Sequence, residues 1–185
     1  MIKSLTTPDI PSNHGDVIPI SAFAPEGSIL NAPWPAPTGG RHMTASYIPS
    51  LIMGALAKAI PGRIMADVGM GTTFGVFGKH SNGREIATHY FTSGGLGAMV
   101  GRDARQPAPY PVNSSVIASE LWEAETGLTV LKRTLLPDSG GAGKYRGGVG
   151  QVVEMQNDTG NPLSLTLFGV RTKYPARGYD GGETG

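Results

Sequence analysis

The stretch "DSGGAGKYRGGVG", residues 138–150, decides how the second half of the chain is expected to fold. It holds six glycines and three charged residues in thirteen positions. Such a composition is typical of phosphate-binding loops, but neither common motif is present. The P-loop requires a glycine five positions before its Gly-Lys pair and a Ser or Thr after the lysine, and Asp138 and Tyr145 hold these positions. The dinucleotide pattern GxGxxG requires its third glycine where Arg146 stands.

On both sides of this stretch, the side chains alternate between two faces, as they do in β-strands. Residues 128–136 divide into two faces of a candidate strand, and residues 149–155 are rich in valine and also alternate. The stretch is therefore predicted to connect two strands, with several of its glycines at positive φ. A second interpretation stays open, in which the same turn also contacts an anionic ligand or a partner.

One long helix is predicted at about residues 44–60. Its apolar residues recur at the i, i+3, i+4, i+7 spacing, Thr44 or Ser46 can cap its start, and Pro61 ends it. Pro49 is expected in the first turn, where proline is tolerated. We interpret the apolar stripe as core, packed on a sheet.

The rest of the chain indicates short strands separated by glycine turns. Residues 17–22 favour one short early strand. The expected fold class is α+β, a β-rich mixed domain with the long helix packed on a mainly antiparallel sheet. Seven further runs favour strands: residues 63–71, 72–78, 85–93, 115–122, 127–136, 149–156 and 163–170.

Composition excludes several classes of function. The chain has no cysteine, a net charge of +1 and no basic run or acidic tail, so neither a thiolate site nor nucleic acid is expected. The sequence has no run of about 18 apolar residues and no apolar signal core. A membrane partner is therefore not expected, and a cytoplasmic location is expected. The 28 glycines and 15 prolines indicate many turns.

Three side chains are candidates for acid–base chemistry. Glu120 and Glu123 form an E-x-x-E step, in which two neighbouring carboxylates could divide acid and base roles, although such pairs are common on solvated surfaces. His89 lies on an alternating strand, where a hydrogen-bonded structural histidine is the alternative to a catalytic one. Ser139 lacks the G-x-S-x-G surroundings of a hydrolase nucleophile.

Six segments taken together resemble one known family. They are "TPDIPSNHGDVIPISAFAPEGSILNAPWPAP", "YIPSLIMGALAKAIPGRI", "YFTSGGLGAMVGRD", the step from Glu120 to Glu123, "LLPDSGGAGKYRGGVGQVVE" and "RGYDGG". Their order and spacing are similar to those of the hydantoinase B / 5-oxoprolinase family over nearly the whole chain. DSGGAG followed by a basic residue, an aromatic residue and RGG is the most specific segment.

The resemblance implies an enzyme that works with a partner. In the family, an ATP-binding A-type subunit activates a carbonyl oxygen, and the B-type subunit completes the hydrolysis of a small cyclic amide such as hydantoin or 5-oxoproline. ATP and a divalent metal are implied for the complete complex rather than a cofactor held by this chain. Asp9 and His14 are the metal candidates. A substrate or partner loop is implied at Asp138, Ser139, Gly140, Gly141, Gly143, Lys144 and Arg146.

The resemblance also implies that residues 1–185 are one partial domain, truncated at both ends relative to the family. The chain alone is then expected to be inactive. Two alternatives stay open: a non-catalytic assembly or interaction module, and a subunit of a related acetone- or acetophenone-type carboxylase. Ile18, where the family often has arginine, and "GMGTTFG", which lacks asparagines frequent in the hydantoinase branch, leave the substrate undecided.

Overall fold

A computed structural model describes residues 3, 7–111 and 116–185 of the chain. Backbone contacts divide the chain into two compact units, Met1–Ile52 and Met53–Gly185. In the first unit, a short 3-10 turn at His14–Asp16 is held by the side chain of Asn13, which accepts from Gly15 N at 2.8 Å. The Asp16 carboxylate accepts from Lys3 Nζ at 2.9 Å.

The early strand predicted at residues 17–22 is not formed. Residues 17–19 are a turn and residues 20–22 have no regular structure. Ile18 and Ile20 in this run are 73% and 48% exposed. An isolated strand has no partner for its backbone groups, so alternation alone does not produce one.

The long helix, α1, spans Arg41–Leu56 rather than about 44–60. Residues 57–60 instead turn back, and the N–H groups of Ala59 and Ile60 both donate to the Leu56 carbonyl. Pro49 lies in the middle of the helix, not in its first turn. The expectation that this helix supplies the core is wrong, because none of its side chains is buried and Leu51 is 68% exposed.

The second unit contains a three-stranded antiparallel sheet in the order β2-β1-β5. β1 is Thr73–Lys79, β2 is Glu85–Phe91 and β5 is Leu163–Phe168. A tight turn joins β1 to β2, where Gly83 at φ 84° donates to the His80 carbonyl at 2.9 Å. A side chain would resist that positive φ, which explains the Asn-Gly pair in the turn.

A second antiparallel sheet pairs β3, Leu128–Leu135, with β4, Gln151–Asn157. The pairing shifts by one residue between Val130 and Lys132. Residues 136–150 connect the two strands, so the prediction that the glycine-rich stretch lies between paired strands is confirmed. The mainly antiparallel sheet is confirmed as well.

A second helix, α2, corrects the interpretation of residues 115–122 as a strand. It spans Ser119–Thr126 and ends at Gly127, which has φ 69° and donates to the Glu123 carbonyl; the first residue of the predicted run lies outside the described residues. Trp122 and Thr126 are four positions apart, so both face inward and both are fully buried. Helical spacing, not alternation, places them there.

The core of the second unit lies where α2 contacts β2 and β3. Its buried residues are Val76, Ile86, Tyr90, Trp122 and Leu128. The Tyr90 and Trp122 rings meet edge to face with centroids 4.8 Å apart. This packing of aromatic rings makes α2, not α1, the helix that holds the sheets together.

Candidate functional site

A cavity of about 480 Å³ lies in the second unit, beside the loop of residues 138–150. Its volume is within the range of small-molecule sites. Irregular segments line it rather than helices or strands, and we call it the glycine-walled cavity. These segments fall within residues 64–70, 95–100, 139–150 and 171–185.

Backbone groups, not side chains, form the closest contacts in these walls. A Cβ atom on Gly94 would lie 1.1 Å from the Gly69 carbonyl oxygen, and one on Gly95 would lie 1.9 Å from that of Gly148. Hydrogen bonds hold the same segments together, with Gly69 N donating to Gly95 O at 3.1 Å and Gly148 N to Leu96 O at 3.0 Å. The run predicted as a strand at residues 63–71 is therefore a wall segment, with one isolated bridge between Met65 and Met99.

Close approach also explains the glycines of residues 138–150, which corrects the expectation of positive φ. None of these glycines has positive φ, whereas Asp138, at φ 55°, does. A Cβ on Gly140 would lie 2.3 Å from the Gly147 carbonyl oxygen, and one on Gly141 would lie 2.5 Å from that of Glu183. These two positions require glycine because another part of the backbone passes beside them.

The polar side chains of this loop mostly hold the loop itself. Ser139 Oγ donates to Leu136 O at 2.8 Å and accepts from Gly150 N at 2.7 Å. Arg146 Nη2 lies 2.8 Å from Asp138 Oδ1 in an exposed ion pair. Lys144 is exposed, with Nζ 5.7 Å from the centroid of the Tyr145 ring.

One corner of the cavity is polar and well shielded from solvent. We call Asp67, Arg171 and Tyr179 the polar corner. Asp67 Oδ1 lies 2.5 Å from Arg171 Nη2, and the two side chains are 12% and 15% exposed. Among the described residues, Oδ2 of Asp67 accepts only a long bond, 3.4 Å, from Arg177 N. The carboxylate thus joins residue 67 to the last segment of the chain and keeps one oxygen available.

Tyr179 of the polar corner and the nearby Tyr110 both have raised pKa values. Burial, reinforced by the Asp67 carboxylate, raises the pKa of Tyr179, although Arg171 opposes the shift. Burial also raises the pKa of Tyr110, with smaller contributions from Asp67 and Tyr179. Both hydroxyl groups are therefore hydrogen-bond donors near neutral pH.

The three acid–base candidates lie apart from the cavity. Glu123 is on α2, and its Oε1 accepts from Val130 N at 2.7 Å, which fixes the start of β3. Glu120 is exposed on the same helix. His89 is exposed on β2, and its ring centroid lies 6.0 Å from that of Phe77 with the two rings perpendicular. Among the described residues this aromatic contact, rather than a hydrogen bond, is what the ring makes.

The metal candidates, Asp9 and His14, are both exposed in the first unit. Within residues 3, 7–111 and 116–185, no three His, Asp or Glu side chains converge into a metal site. The described residues therefore do not by themselves fit the divalent metal that the resemblance implies. No helix in these same residues is both long and apolar enough to cross a membrane.

Sequence reasoning missed the polar corner. Asp67 is the only charged residue between positions 64 and 78, inside a run whose pattern indicates a strand. A single carboxylate in such a run needs a buried partner, and that requirement could have drawn attention to it. Its partner Arg171 lies about a hundred residues further on, in a segment without regular structure, so the pairing has no local signature.

Comparison with known proteins places the chain in a family. The family description Hydantoinase B/oxoprolinase matches residues 1–185. The chain therefore belongs to the hydantoinase B/oxoprolinase family, as the motifs of residues 135–154 and 177–182 indicated.

Three relatives illustrate the match. An uncharacterized protein of Methanocaldococcus jannaschii is 31% identical over all of this chain and 32% of its own length. A Pseudomonas protein named as the B-type subunit of a D-/L-hydantoinase is 27% identical over all of the chain and 31% of its own length. The 5-oxoprolinase PfmaA of Pestalotiopsis fici is 28% identical over all of the chain and 14% of its own length. The chain thus spans a third or less of each.

Proposed function

We propose that this chain is part of a B-type subunit of an ATP-dependent hydrolase that opens cyclic amides together with an A-type ATP-binding partner. The family match along all 185 residues carries the proposal. Relatives named as a hydantoinase B-type subunit and as a 5-oxoprolinase support the reaction type. The absence of both phosphate-loop motifs is consistent with a nucleotide site on the partner.

The glycine-walled cavity is the proposed substrate site of this chain. The family's most specific segment, residues 138–150, forms one of its walls, and RGYDGG at 177–182 forms another. Asp67 and Tyr179 both line it, and a carboxylate can accept from the N–H group of an amide while a phenol can donate to its carbonyl. The other predicted loop residues, including Lys144 and Arg146, would fix the wall and its contacts with the partner.

The division of labour follows from the family resemblance. The partner would transfer the terminal phosphoryl group of ATP to the ring carbonyl oxygen, which makes the carbon more electrophilic. A water would then attack that carbon, and the ring nitrogen would take up a proton and leave as the C–N bond breaks, which gives an acyl phosphate. A second water would hydrolyse the acyl phosphate to a carboxylate and inorganic phosphate. In this chain, hydrogen bonds would orient the ring so that attack occurs on a fixed face.

Reconstitution tests the proposal. The chain, in its natural polypeptide context, is combined with an A-type subunit, ATP and Mg²⁺, and ring-opened product and ADP are measured with hydantoin and with 5-oxoproline. We expect product only when both subunits are present. Equal turnover by the A-type subunit alone would favour the non-catalytic assembly module. Carboxylation of acetone in a parallel mixture with acetone and bicarbonate, without ring opening, would favour the carboxylase branch.

A further inference from the structure

Strand β5, Leu163–Phe168, lies at one edge of the three-stranded sheet. One side of its backbone pairs with β1, from Leu163 opposite Gly78 to Phe168 opposite Thr73. Within residues 3, 7–111 and 116–185, no strand pairs with its other side. Because the backbone groups of successive residues point to opposite sides of a strand, every second residue of β5 directs its N–H and C=O groups away from the sheet. Such a row can pair with one more strand.

This edge also lacks the features by which edge strands usually avoid pairing with another chain, which are charged side chains, prolines and bulges. The sequence of β5, LSLTLF, contains no charge and no proline, and its pairing with β1 runs without a shift. The opposite edge of the sheet, β2, carries Glu85 and His89. The second sheet carries Lys132 and Glu154 and has a bulge. Among the edge strands in the described part of the chain, β5 is thus the unprotected one.

The side chains of β5 form one apolar face and one face with two hydroxyl groups. Leu163, Leu165 and Leu167 alternate with Ser164 and Thr166, so the leucines lie on one side of the sheet and the hydroxyl groups on the other. Leu165 and Leu167 are 60% and 69% exposed. Helix α2 contacts β2 and β3, so its cover lies toward the opposite edge of the sheet. The apolar face therefore continues to β5, where solvent reaches it.

A second copy of β5 complements this edge. Two identical antiparallel strands are related by a twofold axis perpendicular to the sheet, so each copy keeps its leucines on the same side. Leucine side chains then lie beside leucine side chains and remove apolar surface from water. On the other side of the sheet, the hydroxyl groups of Ser164 and Thr166 lie beside those of the second copy and can hydrogen bond. Because residues 163–168 carry no charge, no like charges meet across the axis.

We propose that β5 is a self-association surface, at which two copies of this chain pair β5 with β5 and form one continuous antiparallel sheet. The strand order across the dimer is β2-β1-β5-β5-β1-β2. This inference concerns assembly and does not depend on the proposed reaction. A strand of this length extends about 20 Å, so the contact is smaller than the roughly 1,200 Å² of a standard interface. The dimer is therefore weak, with a dissociation constant on the order of tens of micromolar.

Sedimentation equilibrium of the 185-residue chain tests the dimer. Over concentrations that bracket the expected dissociation constant, the average mass should rise from that of one chain to that of two. It should then stop rising, because a twofold contact uses β5 of both copies and closes the assembly. A chain that stays monomeric throughout this range overturns the proposal and favours cover of β5 by a different polypeptide.

Hydrogen exchange measured below and above the dissociation constant locates the contact. Backbone amides of β5 should exchange more slowly in the dimer, because new hydrogen bonds then protect them. Amides of β2, the opposite edge, are the internal control and should exchange at the same rate in both states. Association without added protection of β5 overturns the proposal, since the chain then associates through another of its exposed surfaces.

Charged variants test the twofold pairing. Leu165→Lys and Leu165→Glu each bring like charges together across the axis, so each should weaken self-association by at least about 10-fold. A mixture of the two variants should restore association, because opposite charges then meet. A mixture that stays monomeric overturns the proposal.

Two further sets of variants separate edge pairing from general effects of charge and folding. Leu121→Lys is the matched control, because Leu121 is 62% exposed but lies on α2, and it should leave the dissociation constant unchanged. If either Leu165 variant fails to fold, Thr166→Lys and Thr166→Glu repeat the comparison on the other face of the same strand. A loss of association in Leu121→Lys as large as that in Leu165→Lys overturns the proposal.

Discussion

At the scale of single residues, Gly140 and Gly143 lie three positions apart in one loop but meet different surroundings. A Cβ on Gly140 would lie 2.3 Å from a carbonyl oxygen, whereas one on Gly143 would lie no closer than 3.4 Å to its nearest neighbour. Gly140→Ala should therefore lower the free energy of unfolding by about 1–3 kcal/mol through overpacking. Gly143→Ala, the matched control, should change it by less than about 0.5 kcal/mol, as expected for a surface substitution. Urea denaturation of both variants measures the difference, and equal losses would contradict it.

The Asp67 carboxylate also makes a spectroscopic prediction. Asp67→Asn removes one cause of the raised pKa of Tyr110 and Tyr179, so both phenols should titrate closer to their ordinary value of 10.0, measured by phenolate absorbance. Asp180→Asn is the control, because Asp180 lines the cavity but does not shift either tyrosine. No downward shift in Asp67→Asn would contradict the assigned cause.

The sign of the pH dependence follows from the raised pKa values. In the native state the two phenols hold their protons more strongly than in the unfolded chain, so their contribution to stability is complete below about pH 10 and is lost as pH rises through the raised values. The alkaline loss should be smaller in Asp67→Asn than in the wild type. Thermal unfolding across this pH range measures it.

At the scale of secondary structure, Glu123 links α2 to β3 through its bond to Val130 N. Glu123→Ala leaves a partly buried N–H without its acceptor and should cost about 1–3 kcal/mol. Glu120→Ala, on the same helix but exposed, should cost less than about 0.5 kcal/mol. If the complex is active, both variants should retain kcat, because neither residue lines the cavity. A large loss of kcat in a folded Glu120→Ala protein would restore the carboxylate pair as a catalytic candidate.

The strands of the second unit were predictable from sequence because alternation is a local property. The runs at 72–78, 85–93, 127–136, 149–156 and 163–170 each overlap an observed strand, with the ends of β1 and β4 one residue beyond the predicted runs. The strand predicted at residues 115–122 is wrong because the run is short. Over so few residues, the position of Trp122 fits the alternation of a strand as well as the spacing of a helix. The walls of the cavity were not predictable, since close approach between Gly95 and Gly148 depends on segments about fifty residues apart.

At the scale of the second unit, one face of the three-stranded sheet is buried at its centre and exposed to solvent on edge strand β5. Leu165 pairs with Val76, so both lie on one face, yet Val76 is fully buried and Leu165 is 60% exposed. Leu167, two residues further on, is 69% exposed on the same face. Part of the exposed apolar surface of the chain therefore lies on edge strand β5.

A hydrophobic dye tests this location. The wild-type chain should bind the dye, and the double variant Leu165→Ser, Leu167→Ser should bind measurably less of it while its melting temperature stays within a few degrees. The matched control is Leu128→Ser, which removes a buried leucine and should destabilise the protein instead. Dye binding that persists unchanged in the double variant would place the exposed surface elsewhere.

The facing glycines of the cavity walls also restrict how the protein can evolve. A substitution that overfills a core is often rescued by a second one that shortens the neighbouring side chain. At Gly95 and Gly148 each residue faces the backbone of the other, and neither has a side chain to shorten. A selection for suppressors of Gly95→Ala in the active complex is therefore expected to return reversions at codon 95 and no compensating change at codon 148. Neither glycine can then be replaced by single substitutions, even when the other one also changes.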